Sequence, residues 1–132
     1  MLTRKSLSMV AGAAIFAAHC PSAFAAPTHC HPYGASGYCQ YDGKVSRVYI
    51  NAYQQVILYF DSTFNTADAT AVGIAGVSIN NAAVFNTATN PEFAKALFAA
   101  MLTAQARGAT VSVQMSSSSS GYLLMDRIWV NE

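Results

Sequence analysis

The segment from Asn90 to Gly108 is one helix with both ends marked, set in a chain otherwise rich in β-formers. Asn90 is an N-cap, Pro91 suits the first helical position, and Glu92 complements the positive end of the helix dipole. Arg107 complements the negative end, and Gly108 supplies the left-handed residue that closes the helix. At about 100° per residue, Phe93, Leu97, Met101 and Ala104 share one face. A lone amphipathic helix must bury that face, and the rest of the chain offers a sheet to bury it on. Phe98 and Leu102 widen the face beyond the stripe that one sheet covers, which points to a homo-oligomer interface at these two residues.

Residues 44–52 alternate in part, with Val45, Val48 and Ile50 among Ser46, Arg47 and Asn51, and read as the first strand. Gln54 and Gln55 interrupt the pattern and mark a hairpin near residues 51–55. Val56 to Phe60 is a continuous run of β-formers, a strand buried on both faces or held in a barrel. Residues 69–79 are the third candidate, with Val72, Ile74, Val77 and Ile79 as apolar marks. Gly73 and Gly76 within it suggest the bulge or bend that a barrel needs to close. Val84 and Phe85 either extend that strand or pack under a loop. After the helix, residues 109–115 read as a strand, Ser116 to Gly121 as a polar loop, and residues 122–130 as the last strand. The order β-β-β-α-β-β is that of a five-stranded OB-like barrel, mostly β with one helix. The alternative is an α+β open antiparallel sheet with one packed helix.

Ahead of these elements, residues 1–25 read as a secretory signal. Arg4 and Lys5 form the charged start, Leu7 to Ala18 is an uncharged apolar run, and Ala23-Phe24-Ala25 ends in small residues. The run is shorter than the ~20 residues that span a bilayer, and no later segment is long enough, so no membrane span is expected. Residues 26–42 then form an irregular head and residues 43–132 the OB-like domain. The localisation implied is secreted or periplasmic.

Cys30 and Cys39 follow the leader, and in an oxidising compartment they are expected to pair as a disulfide. The competing reading is a metal site from His29, Cys30, His31 and Cys39. Adjacent His-Cys-His rarely wraps one tetrahedral ion and an exported thiol pair oxidises readily, so neither a metal nor a cofactor is expected.

The formal net charge is +1 for the whole chain. Beyond residue 25, Lys44, Arg47, Lys95, Arg107 and Arg127 face Asp42, Asp61, Asp68, Glu92, Asp126 and Glu132, a balance slightly on the acidic side. Such a surface does not steer toward phosphate backbones, so no nucleic acid is expected as partner. The chain beyond the leader holds His29 and His31 as its only histidines, lacks a nucleophile elbow, and carries no phosphate-binding loop, dinucleotide fingerprint or metalloprotease helix. No catalytic residue is assigned, and the chain reads as a non-enzyme.

The head is where binding chemistry concentrates. Tyr33, Tyr38 and Tyr41 cluster with His29 and His31, and a tyrosine offers an apolar ring face with a hydroxyl, which suits sugars. The bland alternative is that these rings cover the open end of the barrel. His29 and His31 would make binding sensitive to pH.

The leader, the N-terminal cysteine loop and the junction running from Phe93 through Gly108 to Val111 and Val113 resemble small exported bacterial OB-fold proteins. They are similar to the receptor-binding B subunits of subtilase-cytotoxin and pertussis-like toxins. The resemblance covers residues 43–130 at the level of element order and implies an OB-fold, a ring of subunits and glycan binding. The chain departs from those subunits in having no cysteine after Cys39, and no sugar-contacting residue is carried over. Function is therefore expected to be that of an exported binding module for a glycan or a protein receptor. The alternative is a structural or assembly protein of the bacterial envelope.

Overall fold

A computed structural model describes residues 26–131. The leader assigned to residues 1–25 lies outside the described residues. In chain order the elements are β1 (Ala26–His31), β2 (Tyr38–Asn51), β3 (Gln55–Phe60), α1 (Thr66–Ala71), β4 (Ala82–Asn86), α2 (Pro91–Arg107), β5 (Thr110–Ser119) and β6 (Tyr122–Asn131).

The chain is mostly β with one main helix. The strands lie in the order β1-β2-β3-β4-β6-β5, and β2 also pairs with β5. Five strands therefore ring back on themselves, while β1 adds to β2 from outside. That closure excludes the open sheet. It also explains why the sheet is mixed: a ring with an odd number of strands cannot alternate throughout, and the odd pair, β4 with β6, is parallel. The parallel pair requires a crossover, and α2 followed by β5 lies within it.

Helix α2 forms as its end signals dictate. The Phe93 N–H donates to Asn90 Oδ1 at 3.0 Å. Gly108 closes the helix at φ 63°. Its buried stripe is Ala94, Leu97, Met101 and Ala104. These residues meet Tyr41, Leu58, Met115, Leu123 and Met125 in the ring's interior. Phe93 is half-buried and lies edge-on to Phe85, with ring centroids 5.0 Å apart.

Three expectations need correction. The third strand does not lie at 69–79. Asn65 caps α1 by accepting from the Ala67 N–H at 3.1 Å, and the alanine-rich run that follows has no β-branched series to hold it extended. Gly73 and Gly76 take φ of 88° and 76°, so the segment turns through positions a strand cannot use. The strand comes later, as β4, where Ala82, Ala83, Val84 and Phe85 are all buried. Alternate residues face two clusters. Ala83 and Phe85 join the interior, whereas Ala82 and Val84 join Ile57 in a smaller cluster outside the ring. The same two-sided burial accounts for the unbroken apolar run of β3.

Within residues 26–42 only 32–37 are irregular. β1 and the start of β2 form an antiparallel hairpin with Cys30 opposite Cys39 and His31 opposite Tyr38. Nor is the serine run a loop. β5 continues to Ser119, which pairs with Tyr122, and only Ser120 and Gly121 turn, with φ of 52° and 84°. A two-residue turn with both φ positive matches the twist of a hairpin, and such turns need few residues between strands.

Candidate functional site

A cleft of about 410 Å³ opens where the β1–β2 hairpin meets the β5–β6 hairpin, lined by Tyr33, Tyr38, Gln114, Ser116, Asp126 and Arg127 together with Ser36 and Gly37. Three local features build it. The first is the disulfide Cys30–Cys39, which ties the two strands of the first hairpin together next to its turn. It also takes both sulfurs out of the competing metal set. The second is Gly37, whose N–H donates to the Val72 carbonyl at 2.8 Å. A Cβ at Gly37 would stand 2.4 Å from the Val72 Cβ, so only glycine lets the hairpin settle against the end of α1. The third is a pair of bulges. Met115 pairs with Met125, but Ser117 pairs with Leu124 and Gln114 with Arg127. Ser116 and Asp126 are thus each an extra residue in its strand, and bulges re-aim side chains in this way.

The two bulged side chains meet, with Ser116 Oγ donating to Asp126 Oδ2 at 2.9 Å. The other carboxylate oxygen, Asp126 Oδ1, is buried with no hydrogen-bond partner. A buried acceptor without a partner costs about 1–3 kcal/mol. Arg127, the next residue, is exposed and also lines the cleft.

The aromatic wall belongs to the first hairpin. Tyr33 is 77% exposed and lies edge-on to Tyr38, with centroids 6.5 Å apart. His31 lies against Tyr38 at 5.3 Å, and His29 against His31 at 6.5 Å. Both histidines are exposed and neither lines the cleft.

Tyr41 is not part of this wall. It is fully buried, and its ring stacks on Phe60 with centroids 4.0 Å apart. The reason is strand alternation: Cys39, Tyr41, Gly43 and Val45 face inward, while Tyr38, Gln40 and Asp42 face the other way. Its hydroxyl lies 2.6 Å from both the Lys44 carbonyl and Asp61 Oδ1. Burial first, and the Asp61 hydrogen bond second, push its ionisation far above the ordinary tyrosine range. Tyr41 belongs to the core inside the ring.

Sequence reasoning missed Gln114, Ser116, Asp126 and Arg127. A usable signal was present. The apolar alternation of Leu123 and Met125 resumes at Ile128, one residue out of phase, so a bulge between Met125 and Ile128 was readable.

Phe98 and Leu102 lie elsewhere. Phe98 is half-buried in a second, apolar groove of about 360 Å³, formed with Ile50, Val56, Pro91 and Ala94 between the β2–β3 turn and the start of α2. Leu102, one turn further along, is 42% exposed.

Among the described residues, no helix is long and apolar enough to cross a membrane, and no group of three or more His, Cys, Asp or Glu is placed to hold a metal ion. Comparison with protein-family models, with curated proteins and with solved structures found no match.

Proposed function

We propose that the chain is an exported, non-catalytic binding module whose cleft takes a saccharide. The observation that carries this reading is a single cleft lined both by the rings of Tyr33 and Tyr38 and by the polar side chains of Gln114, Asp126 and Arg127. A sugar ring presents an apolar face to an aromatic wall and hydroxyl donors at its rim. The cleft offers the complement of both: ring faces on one side, a carboxylate, an amide and a guanidinium on the other. The ring order β2-β3-β4-β6-β5, with the main helix between β4 and β5, supports the OB-like barrel, a scaffold that carries oligosaccharide sites. The disulfide suits an oxidising compartment outside the cytoplasm. A printed glycan array, followed by calorimetry on the best sugar, tests the reading. Saturable binding by the wild type that is lost in Tyr38→Ala and Asp126→Ala supports it. No signal on any sugar overturns it.

A second reading is favoured by the apolar groove at Phe98. As an assembly protein of the envelope, the chain would bury Phe98 and Leu102 against a second copy or an envelope partner. Light scattering across a concentration series tests the second-copy form of this reading. Association that Leu102→Glu abolishes supports it, and a monomer at every concentration removes it.

A further inference from the structure

Beyond Arg127 the same face of β6 carries one more aromatic residue, Trp129. The extra residue at Asp126 resets the alternation of β6, so that Ile128 packs against the core and Arg127 and Trp129 share the outward face. Without that bulge Arg127 and Trp129 would point inward. Trp129 is the chain's only tryptophan, and it is 46% exposed. A tryptophan buries more apolar area than any other side chain, so leaving one open on a sheet is a cost the core does not require.

Its surroundings are polar and fixed. Strand register sets two neighbouring rows across β2, β5 and β6: Gln40, Gln114 and Arg127 in one, Asp42, Ser112 and Trp129 in the next. Ser112 Oγ donates to Asp42 Oδ1, and Gln40 Nε2 donates to Asp42 Oδ2 at 3.0 Å. Asn131 Nδ2 donates to Ser112 Oγ at 3.0 Å. The indole therefore stands beside a hydrogen-bonded floor whose side chains hold one another in place. Gln114 and Arg127 belong both to the cleft lining and to this face. Trp129 lies two residues beyond Arg127, or about 6.7 Å along the strand, the scale of the next ring in a linked sugar chain.

We infer that Trp129 forms a second saccharide subsite, continuous with the cleft, so that the ligand is an oligosaccharide lying across β5 and β6 rather than a single sugar. The inference rests on the saccharide reading of the cleft. Occupancy runs from Tyr38 and Asp126, past Arg127, to the indole face of Trp129. The first ring is held in the cleft and the next stacks on Trp129 while its hydroxyls meet the hydrogen-bonded Ser112–Asn131 pair.

The sole tryptophan makes the test direct. The probes are mono-, di- and trisaccharides of glucose, galactose, mannose and N-acetylglucosamine, screened on the full exported chain. Binding is read by calorimetry and by tryptophan fluorescence. The expected result is a trisaccharide that binds at least tenfold more tightly than its monosaccharide and shifts the tryptophan emission. The monosaccharide binds with heat but without that shift. Trp129→Ala brings the trisaccharide down to monosaccharide affinity, with its circular dichroism unchanged. Should that variant unfold, the emission shift in the wild type decides alone. Equal affinity for both lengths with silent fluorescence overturns the subsite and leaves the cleft standing. No binding of any probe overturns both.

Discussion

Ser116 and Asp126 face each other from paired bulges in adjacent strands, joined by a hydrogen bond of 2.9 Å, and the far oxygen of the carboxylate is left without a partner. The two residues therefore differ in what they do for the fold. Ser116→Ala removes a partner that Asp126 has, which costs about 0.5–1.5 kcal/mol. Asp126→Ala removes the unsatisfied oxygen itself and returns the exposed Ser116 hydroxyl to water. Its stability is expected to equal or exceed that of the wild type, with ligand binding lost in the same variant. Urea unfolding of the two variants side by side checks the order. Asp126→Ala being the less stable of the two would mean that the carboxylate serves the fold.

Tyr41 gives the protein an alkaline limit. Its ordinary ionisation lies near 10.0, and in the folded chain burial and the Asp61 hydrogen bond hold the proton on well above that. Below about pH 10 both the folded and unfolded chains keep the proton, and the full stabilisation is present. Above it the unfolded chain releases the proton and the folded chain does not, so stability falls as pH rises toward the folded-state value. Tyr41→Phe is expected to cost about 1–2 kcal/mol at neutral pH, because the Lys44 carbonyl and Asp61 lose their partner. The same variant loses less stability than the wild type between about pH 10 and pH 12. Thermal melts across that range compare the slopes, and parallel curves would remove Tyr41 from the account.

The disulfide joins residues with a sequence separation of 9, directly across the β1–β2 hairpin. The chain-entropy relation gives about 2.7 kcal/mol for a loop of that size. Reduction and alkylation are expected to lower the urea midpoint accordingly, and to weaken any ligand held by Tyr33 and Tyr38 by a larger factor than the ring strands are weakened. Hydrogen exchange localises the effect. Protection lost in β1 and the start of β2, but kept in β5, is the expected pattern. Uniform loss would show that the hairpin and the ring unfold as one unit.

The sequence made the fold's frame legible wherever a local signal agreed with the tertiary demand. Asn90, Pro91 and Gly108 bound α2 because cap chemistry is local. The hairpin between β2 and β3 was legible for the same reason: Asn51 pairs with Gln55, and Asn51 Oδ1 accepts from Tyr53 N–H at 3.0 Å. Residues 69–79 misled because valine and isoleucine mark burial as well as strand. Ile74 reaches the core from an irregular segment, while short, alanine-containing β4 has no alternation to see. Tyr41 misled because three tyrosines close in sequence look alike until strand register separates inward from outward. The site's polar half was hidden for a similar reason: Ser116 and Asp126 lie 10 residues apart and become neighbours only through two bulges.

Gly37 offers the sharpest test of how the cleft is positioned. Its own φ is unexceptional, so the requirement for glycine is one of space. A methyl group there would sit 2.4 Å from Val72 Cβ and 2.7 Å from the His31 carbonyl oxygen, closer than side chains approach one another. The hairpin would have to move away from α1, and the bond from Gly37 N–H to the Val72 carbonyl would lengthen or break. Overpacking of this kind costs about 1–3 kcal/mol. The displacement carries Tyr38, the next residue, away from Asp126 and opens the cleft. Gly37→Ala is thus expected to lower the melting temperature and to weaken saccharide binding together. Gly37→Ala combined with Val72→Gly, which removes the obstructing Cβ and leaves only the His31 carbonyl in the way, is expected to recover part of the binding. Binding that stays low in the double variant, although the fold has recovered, would show that the hairpin's contact with α1 does not set the position of the aromatic wall.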